Sequence, residues 1–402
     1  MPSFDNQDWM NISQQIGDEF QSLSEAITLY RDEFMMKGIN KGIDEWLKLQ
    51  LTNGVIYSDR VKEIIFSKKD EIEQMLLNAT NEITDIVDKQ INESYLNDEA
   101  LKDKMYISLK NEINNNATLL FNNAVESQRL ITAQVSQVID YKSKTVDFYN
   151  AIEKYKTKSP INVVYSNGKK YKMSGYIEMK VRTTIQNTAT EYLTESAKGV
   201  GVIFHLCNAL QDCADDHADF QGKVYVVKDW ASIITDEETR QKVSNFIKQN
   251  NVQFLEDAVD GTLQWYNPSS KKYQGVYLTT RPNCRHFFRA VTIDEALDYK
   301  NTLQKEKMEN GKYDKAKYQA LEQQRALERK IRDIKTKIAS KKVEQNKATD
   351  PATVSQINTD ISKLNKDLYA TQKDLRELVK KNSNLVRLPK RESIDPEGIF
   401  KR

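Results

Sequence analysis

The chain has 402 residues, 39% of them hydrophobic and 29% charged, and a mean hydropathy of −0.69. This length exceeds one ordinary core and predicts two or three packed units, while the composition excludes both a membrane protein and a disordered chain. The formal net charge of +2 hides an asymmetry: residues 312–402 carry 23 basic against 13 acidic side chains, a surplus of +10, and the rest carries −8.

No run approaches the roughly 18 consecutive apolar residues of a membrane span. Residues 1–8 are polar, with no basic segment leading into an apolar one, so no secretory signal is expected. Three cysteines fit a reducing compartment. The chain is expected to be made and kept in a cytoplasm.

Residues 1–158 are expected to form a helical bundle. Phe20, Leu23, Ile27, Tyr30 and Phe34 recur at three- and four-residue spacings, the apolar stripe of one helix, with Gly38 and Gly42 interrupting it. A second stripe runs through Ile64, Ile65, Ile72, Leu76, Ile83 and Ile86. Asn-rich breaks at 92–98 and 114–116 then precede a helix predicted over 118–155.

The texture changes at Pro160. Residues 161–165 and 169–173 have strand-like content around Ser166-Asn167-Gly168, and Asn-Gly between two such runs predicts a hairpin because both residues tolerate positive φ. A helix over 176–198 closed by Gly199, strands at 200–206, 222–227 and 276–278, and a helix at 236–250 complete a small central α+β domain, residues 159–293.

From Asp294 the pattern is helical again. Leu327, Ile331, Ile334 and Ile338, then Val354, Ile357, Ile361, Leu364, Leu368, Leu375 and Leu378, form one heptad-like seam broken near Asp350-Pro351. That predicts long helices over 294–382 folded into a coiled-coil-like antiparallel hairpin. A basic tail, 383–402, is expected to lie extended or mobile. The expected fold class is α+β, mainly helical.

All three cysteines and all three histidines fall between His205 and His286. Cys213 and His217 are four apart, and Cys284 and His286 two apart, so each pair can share a face on a helical turn or an extended segment. Together they could form a tetrahedral zinc site. The spacing is looser than a zinc finger's, however, and the simpler reading of small buried thiols and hydrogen-bonded histidines is favoured; no cofactor is expected. A Cys284 nucleophile with a histidine base is the remaining alternative, without a local hydrolase signature around it. Phosphate loops, dinucleotide-binding glycine motifs and the His-Glu-x-x-His metal motif are absent.

Several blocks carry a resemblance. Tyr165-Ser166-Asn167-Gly168-Lys169-Lys170 followed by Arg182-Thr183, the segment His217-Ala218-Asp219-Phe220-Gln221-Gly222-Lys223-Val224, and Asn283-Cys284-Arg285-His286 occur in order, followed by the basic stretch from Tyr318 to Arg332. In this order they resemble the phage minor capsid protein 2 family and, more distantly, the Mu-type minor head proteins. The resemblance covers roughly residues 160–340, with Ala214-Asp215 standing where an Arg-Pro pair would be expected.

It implies a minor structural protein of a tailed-phage head, not an enzyme, that acts in capsid assembly at the portal or the inner capsid face. Its expected location is the virion, and the host cytoplasm during assembly. Its expected partners are the portal protein, the major capsid protein or both, with packaged DNA as a further partner through the basic hairpin. The alternatives are a DNA-binding ejection protein delivered with the genome, or a hydrolase or nuclease centred on His217, Cys284 and His286.

Overall fold

A computed structural model describes residues 6–90, 99–139, 142–158, 160–164, 170–280, 284–298 and 313–394. The first six helices are α1 (Asn6–Met36), α2 (Ile43–Thr52), α3 (Gly54–Phe66), α4 (Lys69–Gln90), α5 (Glu99–Ser136) and α6 (Thr145–Lys158). Strands β1 (Asn162–Val164) and β2 (Lys170–Lys172) follow, then α7 (Met173–Gly199), β3 (Phe204–Cys207) and β4 (Val224–Val226). Next come α8 (Trp230–Ile233), α9 (Glu237–Asn250), β5 (Gln253–Phe254), α10 (Leu255–Asp260), β6 (Leu263–Asn267), β7 (Lys272–Val276), β8 (Phe288–Val291) and α11 (Ile293–Leu297). Two long helices close the chain, α12 (Lys315–Lys347) and α13 (Pro351–Lys381). The fold is mainly helical α+β, as its sequence predicts.

Most elements follow their sequence signals. The α1 stripe is buried at Phe20, Leu23, Ile27, Tyr30 and Phe34. Gly38 follows that helix at φ +82, a left-handed conformation that favours glycine. β1 and β2 pair antiparallel, Val163 opposite Tyr171; the Ser166-Asn167-Gly168 turn lies outside the described residues. Asp236 caps α9 by accepting from Thr239 N at 2.7 Å, and Asp350 caps α13 the same way, with Pro351 at its first position.

Four elements differ from expectation. α5 runs unbroken through 114–116 because Ile113, Asn116, Leu120 and Ala124 are buried at helical spacing, and that packing overrides the weak helix propensity of asparagine. The helix predicted over 118–155 instead stops at Ser136 and restarts at Thr145, where Asp147 accepts from Lys144 N at 3.3 Å; no Gly or Pro marks that break. The strand expected at 276–278 ends at Val276 and begins at Lys272, pairing with β6 through an Asn267 turn in which Asn267 Oδ1 accepts from Ser269 N at 2.9 Å. The fourth is the described part of the tail, residues 383–394, which is docked. Lys335 Nζ donates to Glu392 O at 2.7 Å, Gln324 donates to Val386 O at 2.8 Å, and Arg387 grips the Glu392 carboxylate with two bonds.

The backbone packs into two units, each gathered from three stretches: Met1–Ile16, Gln74–Glu112 and Met179–Leu321 in one, Gly17–Glu73, Ile113–Glu178 and Glu322–Arg402 in the other. The second unit has its core where α1, α2, α5, α6 and α13 meet, around Met35, Trp46, Ile131, Phe148, Ile152 and Ile357. Trp46 stands edge-on to Phe148 with ring centroids 4.9 Å apart, and its indole N–H donates to Met35 O at 2.8 Å, satisfying a polar atom that burial would otherwise orphan.

Beside that core lies a buried charge cluster that the sequence expectations did not include. Arg31 pairs with Asp32 at 2.8 Å, Lys156 with Asp32 at 3.2 Å and with Glu153 at 2.7 Å, and Lys341 with Glu344 at 3.0 Å; Lys156 also bonds Glu344, and Lys341 bonds Glu153. Three cations thus face three carboxylates. Burial works against the Asp32 carboxylate, but Arg31, Lys156 and the Ser340 hydroxyl together hold it down at about 2.

Candidate metal centre

The first unit is built on a four-stranded sheet of order β5-β4-β3-β8. β3 is antiparallel to both β4 and β8, with Leu206 opposite Val224 and Cys207 opposite Phe288. The chain entering β4 and the chain entering β8 therefore arrive at the same place, the C-terminal end of β3. Those two entries carry His217 and the pair Cys284 and His286, so topology alone brings together residues 67 and 69 positions apart.

Local bonds fix each entry. On the β4 side His217 closes a 3-10 turn, Asp215–His217, its carbonyl accepting from Phe220 N at 3.0 Å and Gln221 N at 3.1 Å. Gly222, at φ +63, then lets the chain reverse onto the sheet, where its N–H donates to Cys207 O at 3.0 Å and Cys207 N donates to Lys223 O at 2.9 Å. On the β8 side Asn208 N donates to Phe287 O at 3.1 Å, and Phe287 N returns a bond to Asn208 Oδ1 at 2.9 Å. Arg285 anchors the same segment through the Asp212 carboxylate at 2.8 Å.

At the centre, His217 Nδ1 and His286 Nδ1 are 3.2 Å apart, and Cys284 Sγ lies 3.7 Å from the first and 3.5 Å from the second. Cys284 is 5% exposed, His217 2% and His286 1%. Gln221 Oε1 accepts from Leu210 N at 2.8 Å, which settles the amide's orientation, and lies 2.9 Å from His286 Nε2. His286 Nε2 therefore carries a proton. Burial first, then His217 and Arg285, hold the His286 imidazole well below its ordinary value, so the ring is neutral and Nδ1 presents a lone pair. Cys284 Sγ accepts from Thr279 N at 3.2 Å, from a residue held at φ +69, which a β-branched side chain rarely adopts.

Of the four residues singled out as a metal set, three converge: the ligating atoms of His217, Cys284 and His286 all lie within 4.8 Å of one another. Cys213 is buried but stands outside that group. Its thiol is pushed up to about 12, by burial first and then by Asp212, and it feels the charge of Cys284. Of the motif residues, Gln221, Gly222 and Arg285 build the framework, and Lys223 joins it through its carbonyl. Thr183 lies on α7, where its hydroxyl donates to Met179 O at 2.9 Å, Arg182 is its neighbour on that helix, and Asn283 lies outside the described residues. Thr279, Leu210 and Asn208 escaped the sequence reading, since a backbone donor or a lone amide leaves no spacing signature.

The sequence model of phage minor capsid protein 2 matches residues 57–380, a span that contains every block of resemblance and the whole Cys–His centre. The chain is a structural protein of a phage head and a component of the virion. It belongs to the phage minor capsid protein 2 family. No curated protein and no solved structure matches it.

Proposed function

We propose that the protein is a low-copy assembly component of the tailed-phage head, seated at the portal or on the inner capsid face against the portal protein, the major capsid protein or both. The family match across residues 57–380 carries this reading. It gains support from apolar side chains exposed on α2 and α3, where Leu51 is 72%, Val55 68% and Phe66 62% accessible, as partner-facing residues are before assembly. No described helix is long and apolar enough to cross a membrane.

Catalysis is not part of this reading. A thiol 5% exposed behind two buried imidazoles offers a substrate no approach, whereas a nucleophile needs one. Packaged DNA is also a weaker partner than the charge count suggests. Within the basic arm Lys341 is buried among carboxylates, Lys347 pairs with Glu33 at 3.0 Å, Arg325 with Glu322 at 2.9 Å, and Lys335 holds the tail. Charges engaged internally release fewer counterions on meeting phosphate.

Cross-linking mass spectrometry on purified procapsids, full heads and heads emptied of DNA tests the assignment. Links from α2 and α3 to the portal or major capsid protein, with the protein retained in emptied heads, are expected. Departure with the genome would replace this reading with that of an ejection protein.

A further inference from the structure

The three converging atoms have the dimensions of a coordination shell. A tetrahedral zinc ion, with bonds of about 2.0–2.1 Å to nitrogen and about 2.3 Å to sulfur, sets its ligand atoms about 3.4 Å apart between nitrogens and about 3.6 Å apart between nitrogen and sulfur. The corresponding separations here are 3.2 Å between the Nδ1 atoms and 3.5 and 3.7 Å from them to Cys284 Sγ. We propose that His217 Nδ1, His286 Nδ1 and Cys284 Sγ bind a zinc ion, and that this ion clamps the entries to β4 and β8 against the end of β3.

Two features around the centre are those an ion requires. His286 donates from Nε2 to Gln221 Oε1 at 2.9 Å, which fixes the tautomer that turns the Nδ1 lone pair inward; metal-bound histidines are oriented by this kind of outer bond. Cys284 Sγ accepts the Thr279 N–H at 3.2 Å, which stabilises a thiolate more than a thiol. Two shared protons could link the same three atoms as hydrogen bonds, but they demand neither near-tetrahedral edges nor a donor aimed at sulfur. Two imidazoles with thiolate select a borderline-soft ion such as zinc over magnesium or calcium. Burial of all three ligands leaves a substrate no approach to the ion, which suits a structural clamp and not a catalytic centre.

Elemental analysis of the full-length protein, purified without chelator, reads the stoichiometry. Cobalt substitution reads the ligands, because a thiolate bound to cobalt gives a near-ultraviolet charge-transfer band that neither histidine nor carboxylate produces. One zinc per chain is expected, together with that band in the cobalt form. Stripping the wild-type protein with a strong chelator is expected to lower its melting temperature, and added zinc to restore it. His286→Ala and Cys284→Ser are expected to lose the metal at least tenfold. Wild-type protein that stays folded but holds no zinc after loading and dialysis overturns the site, and does so whether or not the variants fold. A cobalt form without the thiolate band overturns it as well.

Discussion

His205 lies in the central strand of the four-stranded sheet, opposite Tyr225 on one side and Ala290 on the other, and is wholly buried. Neither ring nitrogen has a hydrogen-bond partner among the described residues. Burial first, and then Lys198, lower its pKa from 6.5 to about 3. A group whose folded value is depressed adds stability above its unfolded value and loses it as pH falls, because the unfolded chain then takes up the proton that the folded one refuses. Stability should therefore decline from about pH 6.5 downward, by roughly 4 kcal/mol by pH 3. His205→Leu, unfolded in urea across that range with chelator present throughout, is expected to lose this slope and to be no less stable than the parent at pH 7, since it removes an unsatisfied polar group. A slope equal to the parent's would show that another group titrates. Legibility at this scale divides sharply. The pairs Cys213/His217 and Cys284/His286 stand out as a cluster of rare residues, but spacing could not say that three of the four converge and that Cys213 stands aside. Gln221 was visible as a motif letter, yet its work, setting a histidine tautomer, depends on Leu210 N, which has no letter of its own.

Elements with strong periodicity or cap chemistry were readable: α1 from its stripe, α9 from Asp236, α13 from Asp350-Pro351, and the β1–β2 hairpin from its strand content. Those decided by tertiary contact were not. Nothing in residues 137–144 announces a break, and the three asparagines at 114–116 announce one that buried Ile113 and Leu120 overrule. The tail was unreadable for a third reason, because side chains of α12 hold it by its backbone carbonyls, which leave no mark in the sequence. Glu392 is 2% exposed and receives Arg387 twice, while its own carbonyl takes Lys335. Lys335→Ala should loosen the segment around Glu392 at little cost to the rest, since the core around Trp46 and Phe148 does not involve it. Limited trypsin digestion is then expected to cut at Arg387 and Arg391 at least tenfold faster than in the parent, with the melting temperature nearly unchanged. Equal cleavage rates would mean the docking contributes nothing in solution.

For the whole molecule, the buried charges of the second unit are the main liability. Glu344 is fully buried between Lys156 and Lys341, and burial, only partly offset by Lys156, raises its carboxyl pKa. Removing one member of such a cluster leaves its partners charged and dry, which costs about 3 to 5 kcal/mol. Glu344→Ala should lose about that much in denaturant unfolding, a large share of the 5–15 kcal/mol typical of a folded protein. A loss under about 1 kcal/mol would mean that water reaches the cluster. The signal for it was present: Lys341 and Glu344 continue the seam set by Ile331, Ile334 and Ile338, and a charge on an apolar seam marks a buried partner.

Each unit is assembled from three stretches that lie far apart in the sequence. Helix α5 gives Glu99–Glu112 to one unit and its remainder to the other, and α12 is divided at Leu321. Neither unit can close until the ribosome has delivered the last of its three stretches. At about 5–20 residues per second, synthesis of 402 residues takes roughly 20 to 80 s, during which the N-terminal half waits with its apolar stripes uncovered. The first unit has all its stretches once residue 321 is made, while the second still lacks α13 and Ile357 of its core, so a chain stopped there carries one unit able to close and one left open.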